Sequence, residues 1–440
     1  MRRVLPWLLA SAESILAVLS VRASVSAMRD GRPWVDLDLG VYLSGAAAVR
    51  SHDLYDLLFG PVHLPFTYPP VAAAAMWPLT LLPPDVVSTA WLGASVLALA
   101  VLLWMASPRL ALPWRVALVA AVMAAAAWLE PVQSTWFYGQ VNLVLAVLVL
   151  ADVVRPTALR RLPGGVLVGV AAAIKLTPLV FVAYLLVVGR RRDAARAAVT
   201  FVVLAGVGLL VNPGASWTFW TSTVVDGQRV GNVEFIANRS ILGVWARLAE
   251  GQAPSTIAWL AVAATMLVVG LLAARFVDRR LGRVESVLVV ALSGLLVAPI
   301  AWVHHFVWIA PLLMVVVSRP MNGWMRLAGL TIVAIFAWQP VWFLANDRAD
   351  LEKALQVGTE YQLVGCSYVV GAVLAVGWLV LLATGRTGYT SDGSGSAVSA
   401  RATSKLTDAS TSDIETSSAP QIAASSSLDA SFWPRSTSDR

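Results

Sequence analysis

The sequence predicts an all-α protein that crosses a membrane many times. Three features carry that expectation: 58% of the 440 residues are hydrophobic, only 13% are charged, and the mean hydropathy is +0.74. No soluble core hides so much apolar surface behind so little polar skin. The formal net charge of +7 sits in short arginine clusters between apolar runs. That is the pattern of cytoplasmic loops in an inner or plasma membrane, not of a nucleic-acid-binding stripe. The single cysteine, Cys366, lies in an apolar run, which excludes an intrachain disulfide and argues against a thiolate metal cluster.

A bilayer core takes about 20 helical residues, and ten full spans are expected at roughly 4–28, 85–106, 114–129, 140–154, 197–211, 256–277, 284–300, 303–318, 325–344 and 361–384. The first contains Glu13 and Arg22, and no clean small-x-small cleavage site precedes a soluble domain, so it reads as a retained span. Arg2/Arg3, Arg109/Arg115, Arg155/Arg160/Arg161, Arg190/Arg191/Arg192/Arg196, Arg275/Arg279/Arg280/Arg283 and Arg319/Arg326 then share one side, expected to be cytoplasmic together with both termini.

Two segments break the pattern. Residues 70–82 have proline at both flanks and are too short to cross, so an interfacial piece is expected there. Residues 164–188 have arginines at both ends, which demands an even number of crossings from a run long enough for one. Its middle reads Ala173-Ile174-Lys175-Leu176-Thr177-Pro178. Proline removes a backbone donor and lysine avoids lipid, so two half-helices meeting at a cavity are expected; a single kinked span with a snorkelling lysine is the alternative.

The same count places loops 29–69 and 212–255 outside, and makes residues 1–384 one membrane domain followed by a Ser/Thr-rich tail, 385–440, expected to be disordered and cytoplasmic. In the first loop, Val35-Asp36-Leu37-Asp38-Leu39-Gly40-Val41-Tyr42 sets two acids two residues apart ahead of a predicted interfacial helix. Acids at i and i+2 share a face on a strand and diverge on a helix, so a chelating pair and a single base are distinct readings. A helix starting near Leu39 makes Asp38 an N-cap, the plain alternative. As a base, a carboxylate partly desolvated against Trp34 and Tyr42 would accept the proton of a sugar hydroxyl.

These stretches resemble glycosyltransferase family 87 of the GT-C superfamily, the polyprenyl-phosphate-mannose-dependent α-mannosyltransferases of mycobacteria and their relatives. The similarity runs through Asp38-Leu39-Gly40-Val41-Tyr42, Leu54-Tyr55, Pro65-Phe66-Thr67-Tyr68-Pro69-Pro70, Gly139-Gln140-Val141-Asn142, Lys175-Leu176-Thr177-Pro178, Asn238-Arg239-Ser240 with Arg247, and Pro299-Ile300-Ala301-Trp302-Val303-His304-His305. The resemblance implies that Asp38 is the catalytic base, and assigns no role to Asp36. Arg239 departs from the neutral polar residue expected between Asn238 and Ser240.

The residues themselves suggest matching chemistry. Breaking a sugar–phosphate bond leaves a second negative charge on the phosphate, which calls for cations: Lys175, Arg247, and one of His304 and His305, with Arg239 in reserve. A satisfied core histidine and an interfacial anchor are the plain readings of the histidines and of Arg247. Gln140 and Asn142 suit sugar hydroxyls or helix–helix bonding. Asn238 joins the sugar or acceptor candidates with Tyr42. Phe66 and Tyr68 offer an aromatic edge for a sugar face or prenyl chain, or an interface anchor.

The expectation is therefore an inverting mannosyltransferase of the plasma membrane with its active site outside. It takes mannose from polyprenyl-phosphate-mannose to a lipid-anchored acceptor such as a phosphatidylinositol mannoside, lipomannan or lipoarabinomannan. Inversion, the identity of the sugar and the α-1,2 linkage are what the resemblance implies. No metal and no cofactor beyond the donor substrate is expected, and no nucleic-acid partner. An arabinosyl or other sugar transferase and a lipid-carrier flippase are the rivals, the latter weakened by the lack of internal repeats.

Overall fold

A computed structural model describes residues 4–30, 35–59, 63–159, 161–249, 254–337 and 365–385. All belong to one compact unit, Met1–Arg386; a second unit, Thr387–Arg440, holds the predicted tail and lies outside the described residues.

Among the described residues the helices are α1 (Leu5–Arg29), α2 (Leu37–Ala47), α3 (Pro70–Met76), α4 (Pro84–Ala106), α5 (Leu112–Ala126), α6 (Glu130–Tyr138), α7 (Asn142–Val154), α8 (Val166–Ile174), α9 (Val180–Val187), α10 (Arg191–Val211), α11 (Pro213–Thr218), α12 (Ile241–Leu248), α13 (Thr256–Arg280), α14 (Arg283–Val297), α15 (Ile309–Ser318), α16 (Gly323–Ile335) and α17 (Ser367–Thr384). Local chemistry sets many of their starts. Proline opens α1, α3, α4, α5, α6 and α11, where its missing N–H costs nothing. Asn212, Ser240, Ser255 and Asn322 cap α11, α12, α13 and α16 by accepting a backbone N–H three residues on. The one described sheet is a two-residue antiparallel hairpin pairing Leu58 with Pro65 and Phe59 with Leu64.

The helices sort into an outer and an inner set. α1, α10 and α13 leave large apolar side chains exposed, among them Leu8, Ile15, Leu16, Val202, Val203, Leu210, Ile257 and Val269. In water such faces would be untenable; in a bilayer they meet lipid. α14 and α15, by contrast, are buried along nearly their whole length and form the centre of the main core with α7. The protein is thus an all-α, multi-pass membrane protein.

Five helices, α1, α4, α10, α13 and α17, are individually long and apolar enough to cross a membrane. The other predicted spans coincide with shorter helices. α7 has 13 residues and α14 has 15, about 20 Å of helix at 1.5 Å per residue. Being inside the bundle, these helices continue as irregular backbone shielded by protein. The outer parts of the predicted spans 325–344 and 361–384 lie outside the described residues.

One helix went unforeseen. The predicted span 114–129 is followed not by a loop but by α6, bent 76° from α5. Its signals were in the sequence: Glu130-Pro131 at the start and Gly139 just past the end.

The expected interfacial piece is α3 followed by a turn of 3₁₀ helix, Trp77–Leu81. The expected half-helices are α8 and α9, of nine and eight residues, separated by Lys175 in extended backbone (φ −147°, ψ 132°) and by the Thr177–Leu179 turn. The Asp152 carboxylate accepts from the N–H groups of Gly165 and Val168 at 2.7 and 2.9 Å, fixing the start of α8 to the end of α7.

The first loop shares a small second core with α3 and the start of the second loop, built from Val41, Val49, Leu54, Tyr55, Phe66, Ala72, Ala73, Ala215 and Phe219. Phe66 lies flat on α2 at Gly45, where a Cβ would stand 2.2 Å from its ring. That close approach holds α2 against the hairpin and against α3.

Candidate active site

The two acids of the first loop have opposite fates. Asp36, in the left-handed region at φ 57°, occupies the N-cap position of α2. Arg29 grips its carboxylate with Nη1 at 2.9 Å and Nη2 at 2.6 Å, and Ser88 donates to it at 2.5 Å. The Asp36 N–H donates to the Phe137 carbonyl at 2.8 Å, and Arg29 also reaches the Trp136 carbonyl. Asp36 is therefore a clamp joining α1, α4 and α6. The N-cap expected at Asp38 is corrected to Asp36, because the helix starts two residues earlier than the apolar pattern implied. Trp34, expected beside Asp38, lies outside the described residues.

Asp38 sits in the first turn of α2, half-buried. Burial raises its carboxyl from the ordinary 3.8 to about 6, against the opposing influence of a hydrogen bond from Gln140 and of the Lys175 charge. Among the described residues no ion pair holds it, so unlike Asp36 it stands available to a proton.

Gln140 is delivered by the end of α6. Gly139 takes φ +69°, and a Cβ there would stand 2.7 Å from the Leu39 Cβ, so only glycine lets the chain turn this close under α2. Its carbonyl accepts from the Trp91 Nε1 at 2.7 Å. Gln140, now buried, accepts at Oε1 from the Tyr42 hydroxyl at 2.8 Å and from Lys175 Nζ at 3.4 Å. The Tyr42 and Tyr68 hydroxyls are 3.2 Å apart and their rings meet edge to face.

Lys175 closes the group. Its Nζ donates to Asn142 Oδ1 at 3.1 Å, lies 3.3 Å from His305 Nε2, and stands 5.4 Å from the Tyr68 ring centroid. Asn142 spends its other end on the His304 carbonyl, at 2.9 Å. His305 accepts the Trp302 N–H at Nδ1, 3.1 Å, so in the neutral ring the proton is on Nε2 and faces the ammonium. Two donors thus point at one another. His304 is buried with both ring nitrogens unpartnered and its ring 4.8 Å from that of His305. Asp38, Tyr68, Lys175 and His305 keep some exposure while Tyr42, Gln140 and Asn142 are buried. The arrangement is a carboxyl group and a lysine amine on a floor of amides. Among the described residues no three His, Cys, Asp or Glu side chains are grouped to hold a metal ion.

A family model, Glycosyltransferase family 87, matches residues 66–299, more than half of the chain. The chain belongs to glycosyltransferase family 87. A polyprenol-phosphate-mannose-dependent α-(1-2)-phosphatidylinositol pentamannoside mannosyltransferase of Mycobacterium tuberculosis is 34% identical, over 83% of this chain and 86% of its own length. A polyprenol-phosphate-mannose-dependent α-(1-2)-phosphatidylinositol mannoside mannosyltransferase of Mycolicibacterium smegmatis is also 34% identical, over 81% and 86%. No solved structure matches.

In this family 87 glycosyltransferase the structure brings together Asp38, Tyr42, Tyr68, Gln140, Asn142, Lys175, His304 and His305. Three other candidates are placed differently. Phe66 is 2% exposed and packed between Gly45, Tyr55 and Tyr68, so it supports Tyr68 and offers no free face. Asn238 has its amide saturated: Nδ2 donates to the Val233 and Pro299 carbonyls, and Oδ1 accepts from the Ser240 and Ala301 N–H groups. It ties the second loop to the backbone just ahead of His304. Arg247 donates to the Phe235 and Asn238 carbonyls, and no contact joins it to Lys175 or the histidines. The sequence reading overlooked Arg29 and Ser88. Arg29 stands at the opposite end of α1 from the Arg2/Arg3 pair, away from the other arginine clusters, and that exception was the available signal for a partner acid.

Proposed function

We propose that the protein is a multi-pass plasma-membrane mannosyltransferase that moves mannose from polyprenyl-phosphate-mannose to a phosphatidylinositol mannoside or a related lipid-anchored mannan. Transfer inverts the donor's β linkage to an α-1,2 linkage. The active site lies on the extracytoplasmic side, both termini are cytoplasmic, residues 1–384 form the catalytic unit, and 385–440 form a tail without chemistry. The relatives' names supply donor, acceptor class and linkage. The observation that carries the mechanism is the meeting of Asp38, Gln140 and Lys175, with His305 3.3 Å from Lys175 Nζ.

In this scheme the acceptor hydroxyl attacks the mannose anomeric carbon while Asp38 takes its proton. The new C–O bond forms as the bond to the phosphate oxygen breaks, and the electron pair leaves on that oxygen. A carboxylate raised to about 6 is a stronger base than an ordinary aspartate and is still ionised at neutral pH. Lys175 Nζ and His305 Nε2–H point their donors at one spot, and an anionic phosphate oxygen between them converts that mutual repulsion into two charge-assisted hydrogen bonds. His305, not His304, takes this role because it is the ring that faces Lys175. Gln140 couples base to cation, and Tyr68, held edge to face by the buried Tyr42, lines the sugar. No metal enters the scheme.

The deciding experiment is transfer of labelled mannose from purified polyprenyl-phosphate-mannose to phosphatidylinositol mannosides by reconstituted protein, comparing Asp38→Asn with Asp36→Asn, with and without chelator. Loss in Asp38→Asn alone, indifferent to chelator, is expected. Full activity in Asp38→Asn overturns the base assignment; dependence on both acids and on a divalent ion would favour a chelating pair.

A further inference from the structure

A second cationic site lies in the outer loop ahead of α13. Arg239 and Arg247 are 1% and 3% exposed, yet neither has a carboxylate within ion-pair distance among the described residues. Arg239 gives one bond, Nη1 to the Gly365 carbonyl at 3.2 Å, and its guanidinium stands 5.1 Å from the Tyr368 ring centroid. The Glu130 carboxylate accepts from the Tyr368 hydroxyl at 2.8 Å. Arg247 spends Nη1 on two carbonyls. What remains unpartnered is Nε of Arg239 and both Nε and Nη2 of Arg247. Nε and Nη2 of one guanidinium are parallel donors at the spacing of two oxygens on a phosphate or carboxylate. That edge faces Gly365, where a Cβ would stand 3.5 Å from Nη2 and 3.7 Å from Nε.

Two buried like charges with three unused N–H donors are a costly arrangement unless an anion completes it. Water satisfies donors but leaves the charge uncompensated. The phosphate-binding groups already described, Lys175 and His305, share no contact with this pair, so a donor with one phosphate is served there. We propose that Arg239 and Arg247 form a separate anion site for the phosphodiester of the acceptor glycophospholipid, holding its headgroup while the mannan end reaches Asp38. This rests on the mannosyltransferase reading above, whose acceptor carries such a phosphodiester, and on a topology that puts α12 and the start of α17 on the same side of the membrane as Asp38.

The test compares full-length wild type, Arg247→Gln and Gly365→Leu. The leucine leaves both arginines in place and fills the space before the free fork. With a phosphatidylinositol mannoside acceptor, both variants are expected to raise the acceptor KM about tenfold or more while the donor KM stays within about twofold. With a phosphate-free alkyl α-mannoside acceptor, rates are expected to match wild type. Calorimetric binding of dioctanoyl phosphatidylinositol, which needs no catalysis, should weaken about tenfold in each variant. A rise in the donor KM instead, an equal loss on the phosphate-free acceptor, or equal binding of the short-chain lipid by all three proteins overturns the proposal. If wild type transfers mannose to neither acceptor, the function reading fails, and the binding measurement still decides this site.

Discussion

Lys175 Nζ stands 3.3 Å from Nε2 of His305, and because His305 Nδ1 already accepts the Trp302 N–H, both groups present donors to the same point. An arrangement that repels itself when empty and is satisfied by an anion suits developing charge on a leaving phosphate. Lys175→Met and His305→Gln are each expected to lower kcat by about 10²–10³-fold with donor KM changing far less, the loss seen when one donor to a transition-state oxyanion is removed. Steady-state kinetics in nanodiscs measure this; equal losses in KM would mean ground-state binding only.

The base leaves its mark on pH dependence. The scheme needs Asp38 ionised, and its carboxyl is raised to about 6. The acid limb of kcat/KM should therefore rise through about pH 6, above the range of an ordinary aspartate. A pH–rate profile of wild type reads the midpoint directly, and a limb near pH 4 contradicts the desolvated-base account.

The same shift has a thermodynamic side. A carboxyl whose folded value lies above its ordinary 3.8 disfavours folding when ionised, so the cost is full above about pH 6 and gone below the ordinary value. Asp38→Asn, expected to lose activity, should melt higher than wild type at about pH 8, with the gain shrinking towards about pH 4. Thermal unfolding in detergent at both pH values checks the sign.

Asp36 should behave the other way. Its carboxylate is bound by Arg29 in two places and by Ser88, so Asp36→Ala leaves a half-buried guanidinium without its partner. A loss of about 1–3 kcal/mol is expected, with residual activity following the folded fraction. Melting and activity measured together separate this from a catalytic role.

Asn142 reaches Lys175 with its oxygen and the His304 backbone with its nitrogen. Asn142→Leu, which keeps the branched shape without the amide, should leave expression intact yet reduce kcat by about tenfold or more by freeing Lys175 from its position. Asn142→Asp, which keeps the acceptor at Lys175, should recover part of that loss; no difference between the two variants would make Asn142 mere packing.

Much of this was legible in the chain. Apolar runs and arginine clusters marked the helices, Lys175 with Pro178 marked the break between α8 and α9, and short motifs far apart in sequence marked Asp38, Gln140, Asn142 and His305. What could not be read was which side chains had already found partners. Asn238 and Phe66 stood among the site candidates, and the local pattern left Asp36 open as one half of a chelating pair. The structure shows the first saturated by four backbone groups, the second packed on Gly45 and the third held by Arg29.

The sequence by itself determined the membrane class and helical content, because burial of apolar runs in lipid depends only on composition and length. It also determined the family, through residues kept in order along the chain. Only the tertiary structure decided which of two neighbouring acids is free. That depends on where Arg29 ends α1, where α6 bends under α2 and where Gly139 lets Gln140 approach, all of them contacts between segments far apart in the chain, which no local pattern encodes.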